Sequence, residues 1–417
     1  MASIYDANTN YQINGVDLRD NPGLVTREYL IDVYPSLIDN FQFAGLWLWG
    51  ENSSSALGTN DTVHRSSPVQ TIAGGTNWKQ VSCGGTISGP SFTFTASIKT
   101  DGTLWLWGYG GSGRLGTNNV VDRSSPVQTI AGGTNWKQVS CGRDTVVAIK
   151  TDGTLWTWGV GSSGQLGNNT ATSRSSPVQT VSGGTNWKQV SFARDTAAAI
   201  KTDGTLWLWG VNTSGNLGTN DTVVSKSSPV QTIAGGTNWK QVSAGAATAA
   251  IKTDGTLWTW GSNFQGALGQ NDIADRSSPV QVGANTNWKQ VSVGSHSAAI
   301  KTDGTLWTWG FNIFGQLGLS DTTARSSPTQ VGTGTNWKQV SVSGGDTTYT
   351  AAIKTDGTLW LWGYNTNGQL GNNNTTNTVS PIQTISGGTN WKQVSSGAYH
   401  VAAIRDDSSD PFRSEPL

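Results

Sequence analysis

The sequence is poor in the side chains that carry most enzyme and metal chemistry. Its 417 residues include one methionine, two cysteines and three histidines. The histidines His64, His296 and His400 have no metal-ligand spacing, and no serine, histidine and aspartate set can be assembled around them. We therefore expect a protein that is not an enzyme and that has no metal site and no cofactor.

Charge and hydropathy exclude two further classes. The chain has 26 basic and 26 acidic residues and no basic tail, so it lacks the positive field that phosphate-driven nucleic-acid binding requires. No apolar run approaches the length of about 18 residues that spans a membrane, and the N-terminus has no secretory signal. We expect a protein made in a cytoplasm, with no nucleic-acid partner and no membrane insertion.

Two motifs that recur seven times dominate what is present. Leu-Trp-Leu/Thr-Trp-Gly and Thr-Asn-Trp-Lys-Gln-Val-Ser alternate along the chain, and together they contain all 21 tryptophans. Between Trp105 and Trp360 the first motif returns every 49 to 53 residues. This period is close to that of a propeller blade, about 40–50 residues.

Each repeat reads as four short strands. In the fourth repeat, Trp239-Lys-Gln-Val-Ser, Ala249-Ala-Ile-Lys, Leu257-Trp-Thr-Trp and Pro279-Val-Gln-Val are separated by turn signals, including an Asp254-Gly255 hairpin. The fold class predicted is all-β, a seven-bladed β-propeller of four-stranded antiparallel blades. We expect every tryptophan in a strand, most of them buried between blades.

The two ends of the repeat region complete each other. The first repeat begins at Leu46 without the preceding second strand, and the last ends at Ala402-Ala-Ile-Arg without the following third strand. The closing blade is therefore predicted to be shared by both termini, which removes exposed sheet edges. The predicted domains are an N-terminal arm at 1–43, the propeller at 44–407 and a tail at 408–417.

The repeat resembles that of the regulator-of-chromosome-condensation family. Gly-x-Leu-Trp-x-Trp-Gly followed by Asn-x-x-Gly-Gln-Leu-Gly, as in Asn312 to Gly318, carries the likeness over residues 44–407. The resemblance implies a propeller but no single function, because the family includes a chromatin-bound nucleotide-exchange factor, a plant ultraviolet photoreceptor and a bacterial β-lactamase-inhibiting protein.

The sequence also departs from that family pattern. The usual Gly-x-x-His keeps its histidine only at His296 and His400, with Thr145, Thr196 and Thr248 as replacements elsewhere. The Gly-Trp-Arg-His-Thr repeats of the photoreceptor are missing, which argues against light sensing.

Three features that imitate binding sites have plainer interpretations. Gly108-x-Gly110-x-x-Gly113 matches a dinucleotide fingerprint, but no helix follows, so we interpret it as a tight turn. Cys83 and Cys141 occupy one position in successive repeats and are interpreted as buried thiols. Six cations precede Ser-Ser-Pro and are interpreted as solvated strand ends whose charge nearby acidic residues cancel: Arg65, Arg123, Arg174, Lys226, Arg276 and Arg325. The lysines of the repeats are interpreted as decoration of exposed strand faces.

Alternating strands sort the loops onto two faces. The Asp-Gly hairpins and the blade-to-blade connections are short and nearly invariant, whereas the opposite face carries every variable loop. On that variable face we predict a partner-binding surface, because aromatic side chains on loops of a rigid scaffold commonly mediate recognition. Its predicted residues are Phe92, Phe94, Tyr109, Phe264, Phe311, Ile313, Phe314, Tyr349 and Tyr364.

The N-terminal arm differs from the repeats. Residues 26–34 suit a short helix with Tyr29, Leu30, Val33 and Tyr34 on one side, ended near Pro35. Such a helix must pack beneath the propeller or onto a partner, so we predict an attachment role for the arm.

Two functions follow from this organisation. In the first, the chain is a structural and adhesive component of a bacteriophage particle, because the arm resembles leaders of phage repeat propellers. It would be made in the host cytoplasm, join other virion proteins through the arm, and present the variable face to a host-surface protein or glycan. In the alternative, it is a free protein-binding or inhibitor propeller that acts on a soluble partner.

Overall fold

The computed structural model describes residues 12–13, 16–17, 45–86, 92–222, 225–344 and 348–406. Within them the propeller region forms seven four-stranded antiparallel sheets, and neighbouring sheets contact each other all the way around a closed ring. The predicted seven-bladed β-propeller is confirmed. The predicted helix of the arm and the tail at 408–417 lie outside the described residues.

The strands are numbered in chain order. In the N-terminal arm β1 (Gln12–Ile13) pairs with β2 (Val16–Asp17). The propeller opens with β3 (Gly45–Gly50) and β4 (Arg65–Gln70). Blades 1 to 6 then follow, four consecutive strands each: β5 (Trp78–Thr86), β6 (Phe92–Lys99), β7 (Leu104–Gly108), β8 (Arg123–Gln128), β9 (Trp136–Cys141), β10 (Thr145–Lys150), β11 (Leu155–Gly159), β12 (Arg174–Gln179), β13 (Trp187–Ala193), β14 (Thr196–Lys201), β15 (Leu206–Gly210), β16 (Lys226–Gln231), β17 (Trp239–Ser243), β18 (Ala247–Lys252), β19 (Leu257–Gly261), β20 (Arg276–Gln281), β21 (Trp288–Val293), β22 (His296–Lys301), β23 (Leu306–Gly310), β24 (Arg325–Gln330), β25 (Trp337–Val342), β26 (Tyr349–Lys354), β27 (Leu359–Gly363) and β28 (Thr378–Gln383). The chain ends its last sheet with β29 (Trp391–Ser396) and β30 (His400–Arg405).

The closing blade joins the two ends of the propeller. Its strand order is β29, β30, β3 and β4, and β3 pairs antiparallel with β30 so that Leu46 lies opposite Ile404 and Gly45 opposite Arg405. The chain therefore enters and leaves the ring at the same end of the molecule. As predicted, both termini share one blade and the ring has no open sheet edge between its first and last strands.

Alternation along the third strand of each blade supplies two different faces. In β15, Leu206 and Leu208 point to blade 4, whereas Trp207 and Trp209 point back to blade 2. The leucine side of one blade thus meets the tryptophan side of the next. Seven such hydrophobic clusters form, one at each interface between neighbouring blades. The core of the molecule is this ring of interfaces.

The tryptophans divide into two classes. All 21 lie in strands, as predicted, and most are buried. Trp209 is fully buried, and its indole N–H donates to the Gln165 carbonyl of blade 2 at 2.9 Å. Trp207 and its six equivalents are only half-buried, because they lie near the end of the strand beside the hairpin turn. The packing also explains a glycine that recurs in every blade: a methyl group at Gly167 (φ +63°) would lie 2.8 Å from the Trp209 indole nitrogen, so glycine is strongly favoured at this loop position.

The lysines of the second strands correct one prediction. They do not decorate an exposed face: Lys201 lies with its ammonium 4.8 Å from the ring of Trp187 and 4.5 Å from that of Trp207. Each of blades 1 to 6 has such a lysine between two indoles, a cation–π arrangement that covers the half-buried tryptophans. The lysines that follow the first-strand tryptophans are exposed, as predicted.

Glutamine and serine link the innermost strands into a continuous girdle. Gln241 donates from Nε2 to the Val291 carbonyl at 2.8 Å and accepts the Val291 N–H at 2.9 Å, so its amide pairs with the backbone of the next blade. Ser243 Oγ accepts the Val293 N–H at 3.1 Å. Both contacts recur at all seven interfaces, the glutamines being Gln80, Gln138, Gln189, Gln241, Gln290, Gln339 and Gln393. The girdle satisfies strand edges that no sheet pairing reaches.

Candidate partner-binding face

The two ends of the ring have different loops. The short-turn face carries the Asp-Gly hairpins and the connections from each fourth strand to the next blade. The variable face carries the connections between first and second strands and between third and fourth strands, as predicted. Both ends of the described propeller, Gly45 and Arg405, lie on the short-turn face.

The centre of the variable face is the mouth of a cavity of about 380 Å³. The ends of the innermost strands and the first-to-second-strand connections line it, among them Ser82, Gly142, Ser191 and Gly397. Small residues at these positions leave the mouth open. Ser82 and Ser191 also belong to the girdle, whose hydrogen bonds join neighbouring parts of the wall.

The charged residues that line the cavity in the described part of the chain come from two adjacent blades. Arg143, Arg194 and Asp195 are the charged residues that line it within the described part of the chain. Arg143 lies 3.4 Å from Asp144 and 3.7 Å from Asp195, and burial raises the pKa of Asp195 above its ordinary value. Among the described residues, the arginine and aspartate side chains of the mouth thus lie in the sector of blades 2 and 3.

The opposite sector carries a chain of aromatic rings. Phe264 of blade 4 lies 5.6 Å from Phe311 of blade 5, Phe311 lies 6.3 Å from Phe314, and Phe314 lies 4.9 Å from Tyr364 of blade 6. Ile313 stands beside them with 57% of its surface exposed, and Phe264 is 56% exposed. We call Phe264, Phe311, Ile313, Phe314 and Tyr364 the aromatic patch. The structure thus brings together five of the nine residues predicted for partner binding.

Phe92 and Tyr109 form a second, smaller aromatic group on blade 1. Their rings stack at 4.3 Å, and the Arg114 guanidinium lies 4.6 Å from the Tyr109 ring. Arg114 is buried and also pairs with Asp144 of blade 2 at 2.7 Å. This group ties the blade 1 loop to the charged sector, and both its aromatic residues remain half-exposed.

Two predicted contact residues are not on the surface. Phe94 and Tyr349 are fully buried, because the second strand begins earlier than the repeat pattern indicated and takes both side chains into the ring. The Tyr349 hydroxyl donates to the carbonyls of Gly397 and His400, at 3.0 and 2.8 Å. Their role is to fill and bridge blade interfaces, and they are removed from the predicted binding surface.

The histidines of the repeat are also interior. His296 Nε2 lies 2.7 Å from Thr350 Oγ1, and His400 Nε2 lies 2.9 Å from Thr95 Oγ1, in each case across a blade interface. Burial lowers the pKa of both imidazoles from 6.5 to about 3. Strand pairing places His296 opposite the glycine of its third strand, and the equivalent residue in blade 4 is Ala247 and not Thr248.

The remaining candidate features agree with their plainer interpretations. Cys83 and Cys141 are buried and free, and burial raises the pKa of the Cys83 thiol to about 12. Of the six cations before Ser-Ser-Pro, three pair with an aspartate four residues earlier: Arg65 with Asp61, Arg276 with Asp272, and Arg325 with Asp321. The glycine fingerprint forms a short 3-10 turn at Gly111–Gly113.

The described residues lack the features of two other classes of site. They contain no group of three or more histidine, cysteine, aspartate or glutamate side chains placed to hold a metal ion. None of the helices in this same part of the chain has the length and apolarity to cross a membrane.

The chain is a seven-bladed repeat propeller, because its seven four-stranded blades repeat one sequence pattern and join through one set of girdle contacts. The chain belongs to the RCC1-like domain family, whose pattern matches residues 44–349, and the regulator of chromosome condensation (RCC1) repeat matches residues 356–404. The resemblance drawn from the repeat motifs is confirmed.

Named relatives share the repeat. The Ultraviolet-B receptor UVR8 of Arabidopsis thaliana is 33% identical over 365 residues, which cover 86% of this chain and 70% of the receptor. The mitochondrial RCC1 domain-containing protein RUG3 of Arabidopsis thaliana is 30% identical over 203 residues, 46% of this chain and 45% of that protein.

Solved structures share the fold at lower identity. Human WBSCR16 superposes with a TM-score of 0.74 at 20% identity and covers 88% of this chain and all of its own. Prp20p of Saccharomyces cerevisiae, described with its binding to Gsp1p and histones, gives 0.73 at 17% identity, over 89% of this chain and 93% of its own. Yeast RCC1 (Prp20) bound to Kap60 gives 0.74 at 17% identity, over 88% of this chain and 90% of its own.

Sequence reasoning missed the charged half of the site. Arg143-Asp144-Thr145 and Arg194-Asp195-Thr196 stand at equivalent positions of blades 2 and 3. The residues aligned with Arg-Asp in the other repeats are uncharged: Phe92-Thr93, Gly245-Ala246, Gly294-Ser295, Thr347-Thr348 and Ala398-Tyr399. A search for charged residues that interrupt the repeat in neighbouring copies would have found them. Their convergence at one mouth depends on the ring geometry, which the sequence alone does not display.

Proposed function

We propose that this chain is a non-catalytic protein-binding propeller that recognises a protein partner with its variable face. The aromatic patch is the observation that carries the proposal. It presents four aromatic rings in a chain of pairwise contacts and an exposed isoleucine, all on the variable face of the ring. Exposed aromatic clusters of this kind dominate the binding energy of many protein interfaces.

The relatives support a binding role over a structural one. UVR8 is named a receptor, and the Prp20 structures are described with Gsp1p, histones and Kap60, all of them proteins. None of the relatives named above is a virion protein. The free binding propeller that the sequence left as an alternative is therefore the function proposed here. The virion role, with its attachment arm and its location in a particle, stays a prediction that depends on residues outside the described part of the chain.

The proposal is tested by comparing partner capture between two matched double variants. Phe311→Ser with Phe314→Ser removes the middle of the aromatic patch. Ile72→Ser with Ile130→Ser removes two isoleucines that are 55% and 58% exposed at equivalent blade-to-blade connections away from that patch. Crosslinking and mass spectrometry on lysate of the source cell should identify proteins that bind the native chain and the isoleucine variant but are lost from the phenylalanine variant.

Partner loss by both variants, or by neither, would contradict the proposal. Circular dichroism and thermal unfolding of each variant establish that the ring is intact, because the substituted side chains lie outside the buried interface clusters. A crosslink from a residue near Phe264 or Tyr364 to the captured protein would locate the contact directly on blades 4 to 6.

A further inference from the structure

The short-turn face carries more cations than carboxylates. Each blade places two cations and one described aspartate there, which in blade 1 are Lys79, Lys99 and Asp101 and in the closing blade Lys392, Arg405 and Asp406. Among the described residues this face therefore has seven more cations than carboxylates. The chain as a whole is neutral, so its charge is distributed unevenly between the faces.

A β-bulge directs one lysine of every blade away from the ring. In blade 1 the pairing of β5 with β6 shifts register between Trp78 and Gln80, which leaves Lys79 as the extra residue. The same shift occurs in the other six blades. A bulge re-aims the side chain at its position, and Lys79 and its six equivalents are all exposed. We call these seven residues the bulge lysines.

The bulge lysines are little neutralised by ion pairs. Among them, Lys392 is the one that forms an ion pair within the described part of the chain, with Asp406 at 3.8 Å. The aspartates of the hairpins are bonded inside their own turns. Asp101 accepts hydrogen bonds from the Thr103 N–H at 2.9 Å and from Thr103 Oγ1 at 2.7 Å. Blades 2 to 6 repeat both bonds, so the excess of cations sets the net charge of this face.

Aliphatic side chains protrude from the same face. Five of the seven blade-to-blade connections carry one as their second residue, with 52% to 60% of its surface exposed: Ile72, Ile130, Val181, Ile233 and Ile385. These connections follow blade 6, the closing blade and blades 1 to 3, which are consecutive around the ring. A single exposed aliphatic residue is common on a protein surface, but this set repeats one position across five neighbouring blades. We call it the aliphatic arc.

The turns of this face are nearly uniform in length. The hairpins of blades 1 to 6 have four residues each, and the blade-to-blade connections have six or seven. Uniform turns on a closed ring give a level face. Peripheral membrane proteins bind through two kinds of contact: attraction of lysines to anionic headgroups, and burial of apolar side chains at the boundary between headgroups and acyl chains. The short-turn face offers both on one level surface.

We propose that the short-turn face binds the surface of an anionic lipid bilayer. The bulge lysines contact the headgroups, and the aliphatic arc enters the headgroup region. In this orientation the aromatic patch faces away from the bilayer and stays open to a protein partner. The inference goes beyond the proposed function and does not depend on it, because different residues on opposite faces carry the two.

Flotation with lipid vesicles tests the proposal on the full chain. The vesicles consist of phosphatidylcholine alone, or of phosphatidylcholine with about 30% phosphatidylserine. We expect binding to the anionic vesicles and none to the neutral ones. Binding should weaken as the salt concentration is raised, because salt screens attraction between exposed charges.

Two matched triple variants test the lysines. Lys79→Gln, Lys137→Gln and Lys188→Gln together remove three bulge lysines from blades 1 to 3 and should weaken binding to anionic vesicles at least about tenfold. Arg123→Gln, Arg174→Gln and Lys226→Gln together remove the same number of cations from the variable-face ends of outer strands, and should change binding little. Because both variants lose the same net charge, a difference between them reports the position of the charge.

Two matched double variants test the aliphatic arc. Ile130→Ser with Ile233→Ser should weaken binding about fivefold or more and leave its salt dependence unchanged, since the lysines remain. Val63→Ser with Val120→Ser is the control, because these valines are as exposed but lie in third-to-fourth-strand connections on the variable face. Circular dichroism and thermal unfolding establish that each variant keeps the ring.

Several results would overturn the proposal. Equal binding to neutral and anionic vesicles would do so, as would a lysine variant that binds as well as its control. A full chain that binds no vesicles, with crosslinks from the bulge lysines to residues 1–43, would show that the arm occupies this face. A chain that binds a DNA duplex but no vesicles would assign the face to nucleic acid. Phe311→Ser with Phe314→Ser should leave vesicle binding unchanged, so this proposal and the proposed function can fail separately.

Discussion

At the scale of single residues, the two tryptophans of a third strand have different energetic weight. Trp209 is fully buried with its N–H bonded across the blade interface, whereas Trp207 is half-buried beneath Lys201. Trp209→Ala should lower the free energy of unfolding by ~3–5 kcal/mol, the usual cost of truncating a large buried aromatic side chain. Trp207→Ala should cost clearly less. Chemical denaturation of both variants checks the order, and equal losses would contradict the division of the tryptophans into two classes.

The buried histidines should make the propeller sensitive to acid. Their pKa is about 3 in the folded chain and returns toward 6.5 on unfolding. Between these values the unfolded chain binds more protons, so the free energy of unfolding falls as the pH falls below 6.5, by up to about 1.4 kcal/mol per pH unit for each histidine. Above pH 7 neither histidine contributes a pH dependence.

Substitution by threonine isolates this effect. Thr145 and Thr196 occupy the equivalent positions in blades 2 and 3 and donate to nearby carbonyls, so threonine fits the site. His296→Thr with His400→Thr should flatten the dependence of stability on pH between 6.5 and 4, measured by urea unfolding at several pH values. An unchanged slope would show that other groups cause the acid sensitivity.

At the scale of elements, the N-terminal arm should be separable from the ring. The first strand that pairs within the propeller, β3, begins at Gly45. Deletion of residues 1–42 should therefore leave a monomeric propeller with a thermal midpoint close to that of the full chain, as measured by calorimetry and light scattering. A deletion variant that fails to fold would show that the arm completes the ring.

The same deletion tests the attachment prediction. If the arm joins the propeller to a particle, the full chain should sediment with that particle and the deleted chain should remain in the supernatant. Substitution of Tyr29, Leu30 and Val33 by serine should reproduce the loss, because burial of each apolar side chain is worth roughly 1.5–3 kcal/mol. Phe311→Ser should leave sedimentation unchanged. Retention of the deleted chain would remove the reason for an attachment role.

At the scale of the whole molecule, the position of the chain ends should matter little. The closing blade joins β30 to β3 without a covalent connection, in the same register that other blades form around their hairpins. A circular permutant with Arg405 linked to Gly45 through a Thr-Asp-Gly turn, in which Gly45 takes the place of the last threonine of the other hairpins, and with new termini between Asp254 and Gly255, should form the same ring. Circular dichroism and unfolding midpoints compare the two, and failure of the permutant to fold would mean that the native closing blade has a special role.

The repeat made the architecture predictable from the sequence. The residues of the binding face were less predictable, because several of them depart from the repeat. The spacing of the repeats, the Asp-Gly hairpin signals and the incomplete first and last repeats were enough to predict seven blades and the shared closing blade, because every repeat has the same pattern. The side chains that leave the pattern were harder. Phe94 and Tyr349 look like loop residues in sequence but enter strands, because insertions in those repeats precede the strand and do not replace its start. The pairing of Arg143 with Asp195 spans two repeats and is visible only once the blades are neighbours.

The girdle contacts are the same at all seven interfaces, which means that they cannot tell one blade from another. If all interfaces were identical, a blade could pack against the wrong blade during folding, so the correct order requires contacts that differ between interfaces. Contacts near the variable face differ between interfaces. Arg114 pairs with Asp144 between blades 1 and 2, His296 with Thr350 between blades 5 and 6, and Tyr349 with Gly397 between blade 6 and the closing blade. Residues that depart from the repeat thus distinguish the blade interfaces from one another, which the identical girdle contacts do not.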